Sequence, residues 1–189
     1  TLLGRHDDGG RANAQLGDME KAYAYAQEFH ALDEDNVQGN RFLAKLMLLT
    51  TLYQHFFIEH NRGHHRRVAT PQDPATSRKG EGVYAFWWRS ITGGFGSAWA
   101  LEQGRLGRNG QGWASWANQM VRFTVVQLGA LVLVAVIFGP KALVAWLFAA
   151  LFGVLLLETV NYLEHYGLRR ARGDNGRWER VRPAHSWNS

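Results

Sequence analysis

The sequence predicts an all-α fold: a fragment of an integral membrane helical bundle, with a transmembrane hairpin and a cytoplasmic histidine-rich cap. Two apolar runs, Phe123–Phe138 and Ala142–Leu157, are separated only by Gly139-Pro140-Lys141. Each run extends at both ends to roughly the 20 residues with which a helix crosses a bilayer. The Gly-Pro break between them predicts a tight reversal. A helical hairpin buried in a soluble protein is the alternative.

The composition limits the chemistry available to the chain. Its 189 residues suffice for one domain with a hydrophobic core. The absence of cysteine excludes disulfides, thiolate zinc sites, iron–sulfur clusters and cysteine nucleophiles. Any bound metal is therefore held by histidine, carboxylate or water.

Charge is divided unevenly along the chain. Residues 1–40 carry three basic and eight acidic side chains, whereas residues 41–189 carry 18 basic and eight acidic ones. A basic body is typical of proteins that bind nucleic acid or an anionic membrane surface, and the apolar runs favour the membrane. We therefore expect contact with membrane lipids and no nucleic acid. Residues 1–40 form a polar, acidic segment whose relation to the fold is left open, and the chain, which begins without Met, is interpreted as part of a longer protein.

Apolar side chains cover most faces of residues 41–58, which predicts a helix. Its length is near the lower limit for a membrane span, and Lys45, Gln54 and His55 interrupt it. We interpret it as a helix that lies in the membrane interface or packs against the membrane domain, with a true span as the alternative.

This helix leads into Glu59–His65, which contain three of the chain's eight histidines. His60 and His64 stand four apart, so one helical turn brings both rings to the same side, and His65 follows on the neighbouring face. Imidazole is the commonest metal-binding side chain in proteins. The pattern predicts metal ligands at His60, His64 and His65, with the Glu59 carboxylate in a supporting position. A solvated basic loop is the alternative.

The rest of residues 59–120 is basic and rich in aromatic residues, and we expect it in the cytoplasm with the histidine cluster. Tryptophan and tyrosine next to arginine are compatible with stacking on nucleic-acid bases, but they are equally typical of the membrane–water boundary. Because the apolar runs follow at once, the membrane boundary is preferred. The run Gly93-Gly94-Phe95-Gly96 lacks the strand and the Lys-Ser/Thr pair of a phosphate-binding loop, so we interpret it as a flexible turn.

The hairpin occupies residues 121–165, and basic side chains flank it on both sides. Residues 61–122 carry nine basic against three acidic side chains, residues 164–189 carry six against three, and the hairpin turn carries only Lys141. Because cytoplasmic segments are enriched in Lys and Arg, both flanks, including residues 166–189, are predicted to face the cytoplasm.

A polar stripe ends the second apolar run. Glu158, Asn161 and His165 are spaced i, i+3 and i+7, so they share one face of an otherwise apolar helix. Ionisable groups in such a place are costly unless they are paired or bind a metal. His165 is therefore a candidate fourth ligand, and Glu158 and Asn161 are candidates for orienting a ligand or, for Glu158, for bridging two metals. A histidine that reaches to the membrane surface is the alternative, and the spacing leaves zinc and non-haem iron equally open.

Three motifs together resemble one family. They are Glu59–His65, Arg67–Ala75 and Asn161–Leu168, and Arg182–Ser189 adds a fourth match. Over residues 41–189 the chain is similar to the membrane-bound alkane 1-monooxygenases, relatives of the histidine-box fatty acid desaturases and hydroxylases. This resemblance implies a non-haem diiron enzyme of the bacterial inner membrane with a six-helix membrane domain. It also implies that one oxygen atom of O2 enters the terminal carbon of medium- to long-chain n-alkanes, with electrons from rubredoxin and a rubredoxin reductase.

In that family, nine histidines in four places bind two iron ions. His60, His64 and His65 match its second motif, and His165 matches the histidine of its Asn-Tyr-x-Glu-His-Tyr-Gly motif. His185 lies in a family-like stretch, and we expect it to support the site through a hydrogen bond. No catalytic residue is expected beyond the metal ligands.

Two of the family's motifs are not intact in the chain. The last would lie beyond Ser189, and alignment on residues 41–46 places His30 at the first ligand of the His-Glu-Leu-x-His-Lys motif and Glu34 at its second. The preferred alternative is that the first motif has diverged or that the sequence upstream is altered by a frameshift or an assembly error. With four ligands matched, we expect the chain alone to be inactive. A related hydroxylase or desaturase of fatty acyl or methyl-aromatic substrates is one alternative, and a non-catalytic membrane remnant without a complete metal site is another.

Overall fold

All regular structure in the described part of the chain is helical. A computed structural model describes residues 36–187. The chain divides after residue 44: residues 36–44 are helical, and the unit Lys45–Ser189 contains the remaining elements. Apart from one isolated antiparallel bridge in the C-terminal segment, residues 36–187 contain no strand pairing. The predicted all-α class is confirmed.

Five helices and two short turns make up the second unit. The helices are α1 (residues 36–50, of which 45–50 belong to this unit), α2 (His55–Glu59), α3 (His65–Arg67), α4 (Val83–Arg108) and α5 (Gln119–His165). A π-helical turn, His60–His64, joins α2 to α3, and a 3₁₀ turn, Pro183–His185, lies near the C-terminus.

The residues predicted as one helix over 41–58 are broken in the structure. After α1, Leu52 adopts a positive φ of 54°, and helical geometry resumes only at His55. The Nε2 of Gln54 donates to the backbone carbonyl of Lys45 in α1 at 3.0 Å, which connects the break to that helix. The break turns Tyr53 inwards, where it is 4% exposed.

Helix α4 runs continuously through the glycine-rich stretch for which the sequence predicts a flexible turn, so that prediction is wrong. A Cβ atom at Gly93 would lie 2.9 Å from the Cβ of Pro74, and one at Gly94 would lie 3.9 Å from the Cγ of Glu59. Glycine therefore lets α2 and the Pro74 loop approach α4 closely. This packing offsets the low helix propensity of glycine.

Helix α5 is broken at Gly139, which adopts φ 82° and ψ 171° and precedes a proline. Both ends of α5 contact α4: Met120 shares a core cluster with Ala98, and Nε1 of Trp87 donates to the hydroxyl of Thr159 at 3.2 Å. The two contacts lie about 17 Å apart along α4, whereas a straight helix would separate the two α5 residues by about 60 Å. The chain therefore reverses at Gly139, and the predicted hairpin is present.

The two arms of the hairpin present apolar side chains to their surroundings. Within residues 36–187, α5 is the one helix long and apolar enough to cross a membrane, and its most apolar stretch of 18 residues is not buried by the rest of the protein. Its exposed side chains include Val132, Leu133, Val136, Ile137, Phe138, Phe148, Leu151 and Phe152. Soluble proteins rarely expose so large an apolar surface. The fold is accordingly that of a helical membrane protein.

The segment after α5 returns to the histidine-bearing helices. The N–H of Arg170 donates to the carbonyl of Ala69 at 2.8 Å. The 3₁₀ turn Pro183–His185 lies against the end of α5, where the N–H of Trp187 donates to the carbonyl of Glu164 at 2.9 Å. These contacts bring the end of α5, α3 and the C-terminal segment into one cap.

Candidate metal centre

Two histidines of the first cluster, His60 and His64, lie at the two ends of the π-helical turn, and His65 begins α3 directly after it. The N–H of His65 donates to the carbonyl of His60, five residues earlier. This geometry places both following histidines over His60, whose ring centroid is 5.2 Å from that of His64 and 4.6 Å from that of His65. A Cβ atom at Gly63 would overlap the side chains of Glu59 and Arg67, so glycine leaves room for the ion pair between them.

His64 is oriented by a buried carboxylate. Its Nδ1 lies 2.8 Å from Oδ2 of Asp73, which also accepts from the hydroxyl of Thr76 at 2.5 Å, while Oδ1 accepts from the N–H of Ala75 at 3.2 Å. Burial opposes ionisation of Asp73, but the hydrogen bond and charge of His64 and the two further hydrogen bonds lower its pKa. Because a carboxylate only accepts, Nδ1 of His64 carries the proton and Nε2 of the neutral ring keeps its lone pair.

The same contact changes the basicity of His64. Burial favours the neutral ring, but the hydrogen bond and the charge of Asp73 raise the pKa of His64 above its ordinary value. Carboxylate partners of this kind fix the tautomer of a metal-binding histidine and strengthen it as a donor.

His165, at the far end of the hairpin, meets this cluster. Its ring centroid lies 4.7 Å from that of His64. Its Nδ1 lies 3.1 Å from the backbone carbonyl oxygen of His185, and since that oxygen only accepts, Nδ1 carries the proton. Nε2 is buried without a hydrogen-bond partner, and Oε1 of Glu164 is 3.9 Å away. A buried nitrogen lone pair without a partner requires an explanation, and a bound metal is one.

His185 supports His165 through its backbone rather than through its ring. The N–H of Arg182 donates to Nδ1 of His185 at 2.9 Å, and Nε2 lies 3.2 Å from Oε1 of Glu179. The ring therefore stabilises the 3₁₀ turn that presents the carbonyl to His165.

His60 and His65 lie on the more open side of the cluster. Burial, with the neighbouring histidines, lowers the pKa of His60 to about 4, and its Nδ1 is buried without a hydrogen-bond partner. His65 is exposed. The rings of His60 and His64 are stacked, with 14° between their planes, so their lone pairs do not converge on one position. Among residues 36–187, no three donor groups are arranged to hold a metal as they stand. The structure thus gathers four rings and leaves nitrogens free, without closing a ligand set.

Glu59, predicted to support the cluster, is buried and faces α4. Its Oε1 accepts from Nη2 of Arg67 at 2.7 Å and from the hydroxyl of Ser97 at 3.1 Å. It therefore fixes the histidine-bearing helix to α4 through its partners.

The polar stripe of α5 is buried along one face, as its spacing indicates. Oε1 of Glu158 accepts from the hydroxyl of Tyr53 at 2.8 Å. Oε2 of Glu158 and Nδ2 of Asn161 are buried without hydrogen-bond partners. Glu158 and Asn161 therefore continue the buried polar surface that ends in His165.

Four further residues are His30 and Glu34, which the sequence predicts as possible ligands, and Asp73 and Tyr53, which it does not single out. His30 and Glu34 lie outside the described residues. Asp73 and Tyr53 were not singled out by spacing. Asp73 falls within the Arg67–Ala75 motif, which is the signal that could have found it; Tyr53 has no such signal, because the helix break that turns it inwards is not visible in the sequence.

The sequence of the chain matches a known protein family. The model of the fatty acid desaturase family matches residues 29–189, which include both histidine motifs and Asp73. The chain belongs to the fatty acid desaturase family.

Several curated proteins are similar to this desaturase-family chain. Alkane 1-monooxygenase from Pseudomonas putida is 47% identical over 160 residues, which cover 85% of this chain and 40% of that protein. Alkane 1-monooxygenase 1 from Alcanivorax borkumensis is 47% identical over 163 residues, with the same coverage of 85% and 40%. The xylene/toluene monooxygenase hydroxylase component XylM of Pseudomonas putida is 28% identical over 113 residues, which cover 60% of this chain and 31% of that protein. The chain thus spans about 40% of the length of these alkane 1-monooxygenases, and the resemblance to them predicted from the sequence is confirmed.

Proposed function

We propose that this chain is the part of a membrane-bound alkane monooxygenase that carries four histidine ligands of a non-haem diiron centre. The observation that carries the proposal is the approach of His64 and His165, whose ring centroids are 4.7 Å apart although the two residues are 101 positions apart in the sequence. In both rings an acceptor holds Nδ1, so Nε2 is the nitrogen left for a metal. The names of the relatives supply the substrate class.

The residues fit a metal, and the donor set fits iron. His60, His64, His65 and His165 would contribute ligands, and the buried, unpartnered Nε2 of His165 is the atom best explained by one. A histidine-rich site without thiolates on a membrane protein is suited to non-haem iron. Bound iron supplies the activation of O2 that attack on an unactivated C–H bond requires.

The protein's own residues position and isolate the reaction. Asp73 and the carbonyl of His185 hold two ligand rings in the tautomer that binds metal, and Glu158 extends the buried polar face. An n-alkane has no polar group to recognise, so an apolar channel between helices would position it by shape. The proposed reaction consumes one alkane, one O2, two electrons and two protons, and yields one 1-alkanol and one water. Rubredoxin, reduced by its reductase, would supply the electrons.

The proposed location is the bacterial inner membrane, with several spans and the metal site on the cytoplasmic side. The basic flanks of the hairpin support this orientation, because cytoplasmic segments are enriched in Lys and Arg. The chain by itself is expected to be inactive, since it carries four of the ligands that two iron ions need.

A related substrate is the second candidate. The similarity to the hydroxylase component XylM favours a methyl-aromatic substrate, and the desaturase family model favours a fatty acyl chain. The reaction would again be oxidation of an unactivated C–H bond. The substrate assay below therefore includes a methyl-aromatic and a fatty acid.

The test uses the complete protein in lipid nanodiscs with rubredoxin and its reductase. We expect octane to be converted to 1-octanol and iron to be bound in the wild type. His64→Ala should abolish both while membrane insertion is unchanged, and His6→Ala, in the polar N-terminal segment, is the control. A wild type without iron, or a His64→Ala variant that still hydroxylates octane, would refute the proposal. Oxidation of xylene or of a fatty acid instead of octane would select the second candidate.

A further inference from the structure

A fully buried carboxylate on α4 joins three elements of the protein. The side chain of Glu102 is 0% exposed. Its Oε1 accepts from Nη1 of Arg62 and from Nε of Arg105, the latter at 3.0 Å, and its Oε2 accepts from Nη2 of Arg105 at 2.8 Å. Oε2 also accepts from the N–H of Gln119, the first residue of the membrane hairpin, at 2.9 Å. One carboxylate therefore connects the π turn, α4 and the start of α5.

This carboxylate is ionised in the folded protein. Burial opposes its charge, but the hydrogen bonds from Arg105, Gln119 and Arg62 lower the pKa of Glu102 to about 2. Removing one partner of a buried, hydrogen-bonded charge pair is far more costly than removing an exposed pair. The network is thus a rigid point of the fold rather than a surface contact.

Arg62 lies inside the π turn, between His60 and His64. A single π turn is an unusual local geometry, and such turns occur frequently at functional sites. If the turn relaxed to α-helix, His65 would be rotated about 140° from His60 around the helix axis. The 4.6 Å approach of these two rings therefore depends on the turn keeping its geometry.

We propose that Arg62 is a positioning residue, which holds the His60–His64 turn in its π-helical geometry by binding Glu102 at the root of the membrane hairpin. Arg62 also reaches the carbonyl of Leu101 through Nη2 at 3.4 Å, so both of its terminal nitrogens contact α4. Arg105 binds the same carboxylate but lies on α4, and it has no hydrogen bond to the histidine turn. Replacing Arg105 therefore removes a partner of Glu102 without touching the histidine turn, whereas replacing Arg62 also removes the bond that holds the turn. The relevance of the turn to a metal rests on the proposed function, but its geometry does not.

The test compares Arg62→Met with Arg105→Met in the complete protein, because each variant removes one partner of Glu102. Hydrogen–deuterium exchange on metal-free protein reports the amides of His64 and His65, which the turn protects. Fe(II) affinity, by competition with a chelator, and the visible absorption of bound Co(II) report the ligand geometry. Arg62→Lys, which keeps the charge, is the conservative variant and replaces Arg62→Met if that variant does not fold.

We expect Arg62→Met to increase exchange at the two histidine amides, to weaken Fe(II) binding by about tenfold or more and to alter the Co(II) spectrum. Arg62→Lys should restore part of each, and Arg105→Met should lower thermal stability while leaving all three at wild-type values. Wild-type exchange and affinity in Arg62→Met, or equal changes in both Met variants, would overturn the proposal. If the wild type binds no iron, the proposed function fails, and the exchange data alone decide whether Arg62 holds the turn.

Discussion

Replacing Asp73 with Asn tests how far the proposed ligand His64 is oriented before a metal binds. The carboxylate accepts the Nδ1 proton of His64 at 2.8 Å in a fully buried position. An amide NH2 at the same place would instead donate, so the His64 ring is expected to take the other tautomer, with its proton on Nε2. The nitrogen proposed to bind the metal would then carry a proton and could not bind without rearrangement.

The size of the effect follows from the bond that is lost. A hydrogen bond to a charged partner contributes about 1.5–3 kcal/mol. At about 1.4 kcal/mol for each factor of ten, this predicts metal affinity weaker by about 10- to 100-fold in Asp73→Asn. The same range is typical for loss of a carboxylate behind a metal-binding histidine.

Two measurements on the complete protein check this prediction. Nitrogen-15 NMR of metal-free protein with labelled histidine reports which nitrogen of His64 is protonated, and chelator competition gives the Fe(II) affinity. Asp174→Asn changes an exposed carboxylate in the C-terminal segment and serves as the matched control. An Asp73→Asn protein with the wild-type tautomer and affinity would show that Asp73 does not orient His64.

Two further predictions concern stability. Gly153→Ala should destabilise the protein by about 1–3 kcal/mol in thermal unfolding, because the new Cβ would lie 2.8 Å from Cγ2 of Thr51. The control Gly129→Ala, whose Cβ would have nothing within 4 Å, should be neutral or stabilising by up to about 1 kcal/mol. Equal changes of unfolding free energy in the two variants would contradict the packing of Gly153 against Thr51. The pKa of Glu102 is lowered from 4.5 to about 2, so its stabilising contribution is complete above pH 4.5 and is lost as the pH falls towards 2. The difference in unfolding midpoint between wild type and Glu102→Gln should therefore shrink over that range, and a difference that is constant with pH would contradict the ionised network.

The hairpin could be predicted because its signals are local and strong. Two apolar runs and a Gly-Pro break dictate two helices and a reversal, whatever they pack against. The same reasoning fails for the run that begins at Gly93, since glycine is a poor helix former in isolation and only the contact with Pro74 shows why it is needed in α4. The break at Leu52 also depends on tertiary contacts, because Gln54 and Tyr53 find partners that are remote or invisible in the local pattern.

The sequence indicates which histidines lie at the proposed site but not their geometry. Spacing brings His60 and His64 to one face of an α-helix. The close approach of His65 to His60 requires a π turn, which could not be predicted from the sequence. The partners that fix the rings are a carboxylate in a proline-rich loop and a main-chain carbonyl. A main-chain carbonyl cannot be recognised from the residue type. The sequence therefore points to the side chain of His185, whereas the contact with His165 is made by its backbone.

The acceptors that hold His64 and His165 differ in charge, which bears on how the proposed centre would bind a metal. The carboxylate of Asp73 carries a full negative charge, whereas the carbonyl of His185 is a dipole, so His64 is the more basic of the two facing rings. The two rings also come from elements held independently, His64 through Asp73 and the π turn, and His165 through the 3₁₀ turn. Since both hydrogen bonds are made by Nδ1, both rings are oriented without a metal, and Nε2 of each ring takes no part in these bonds. The two rings therefore lose their conformational freedom when the protein folds, and the proposed metal binding would cost less conformational entropy.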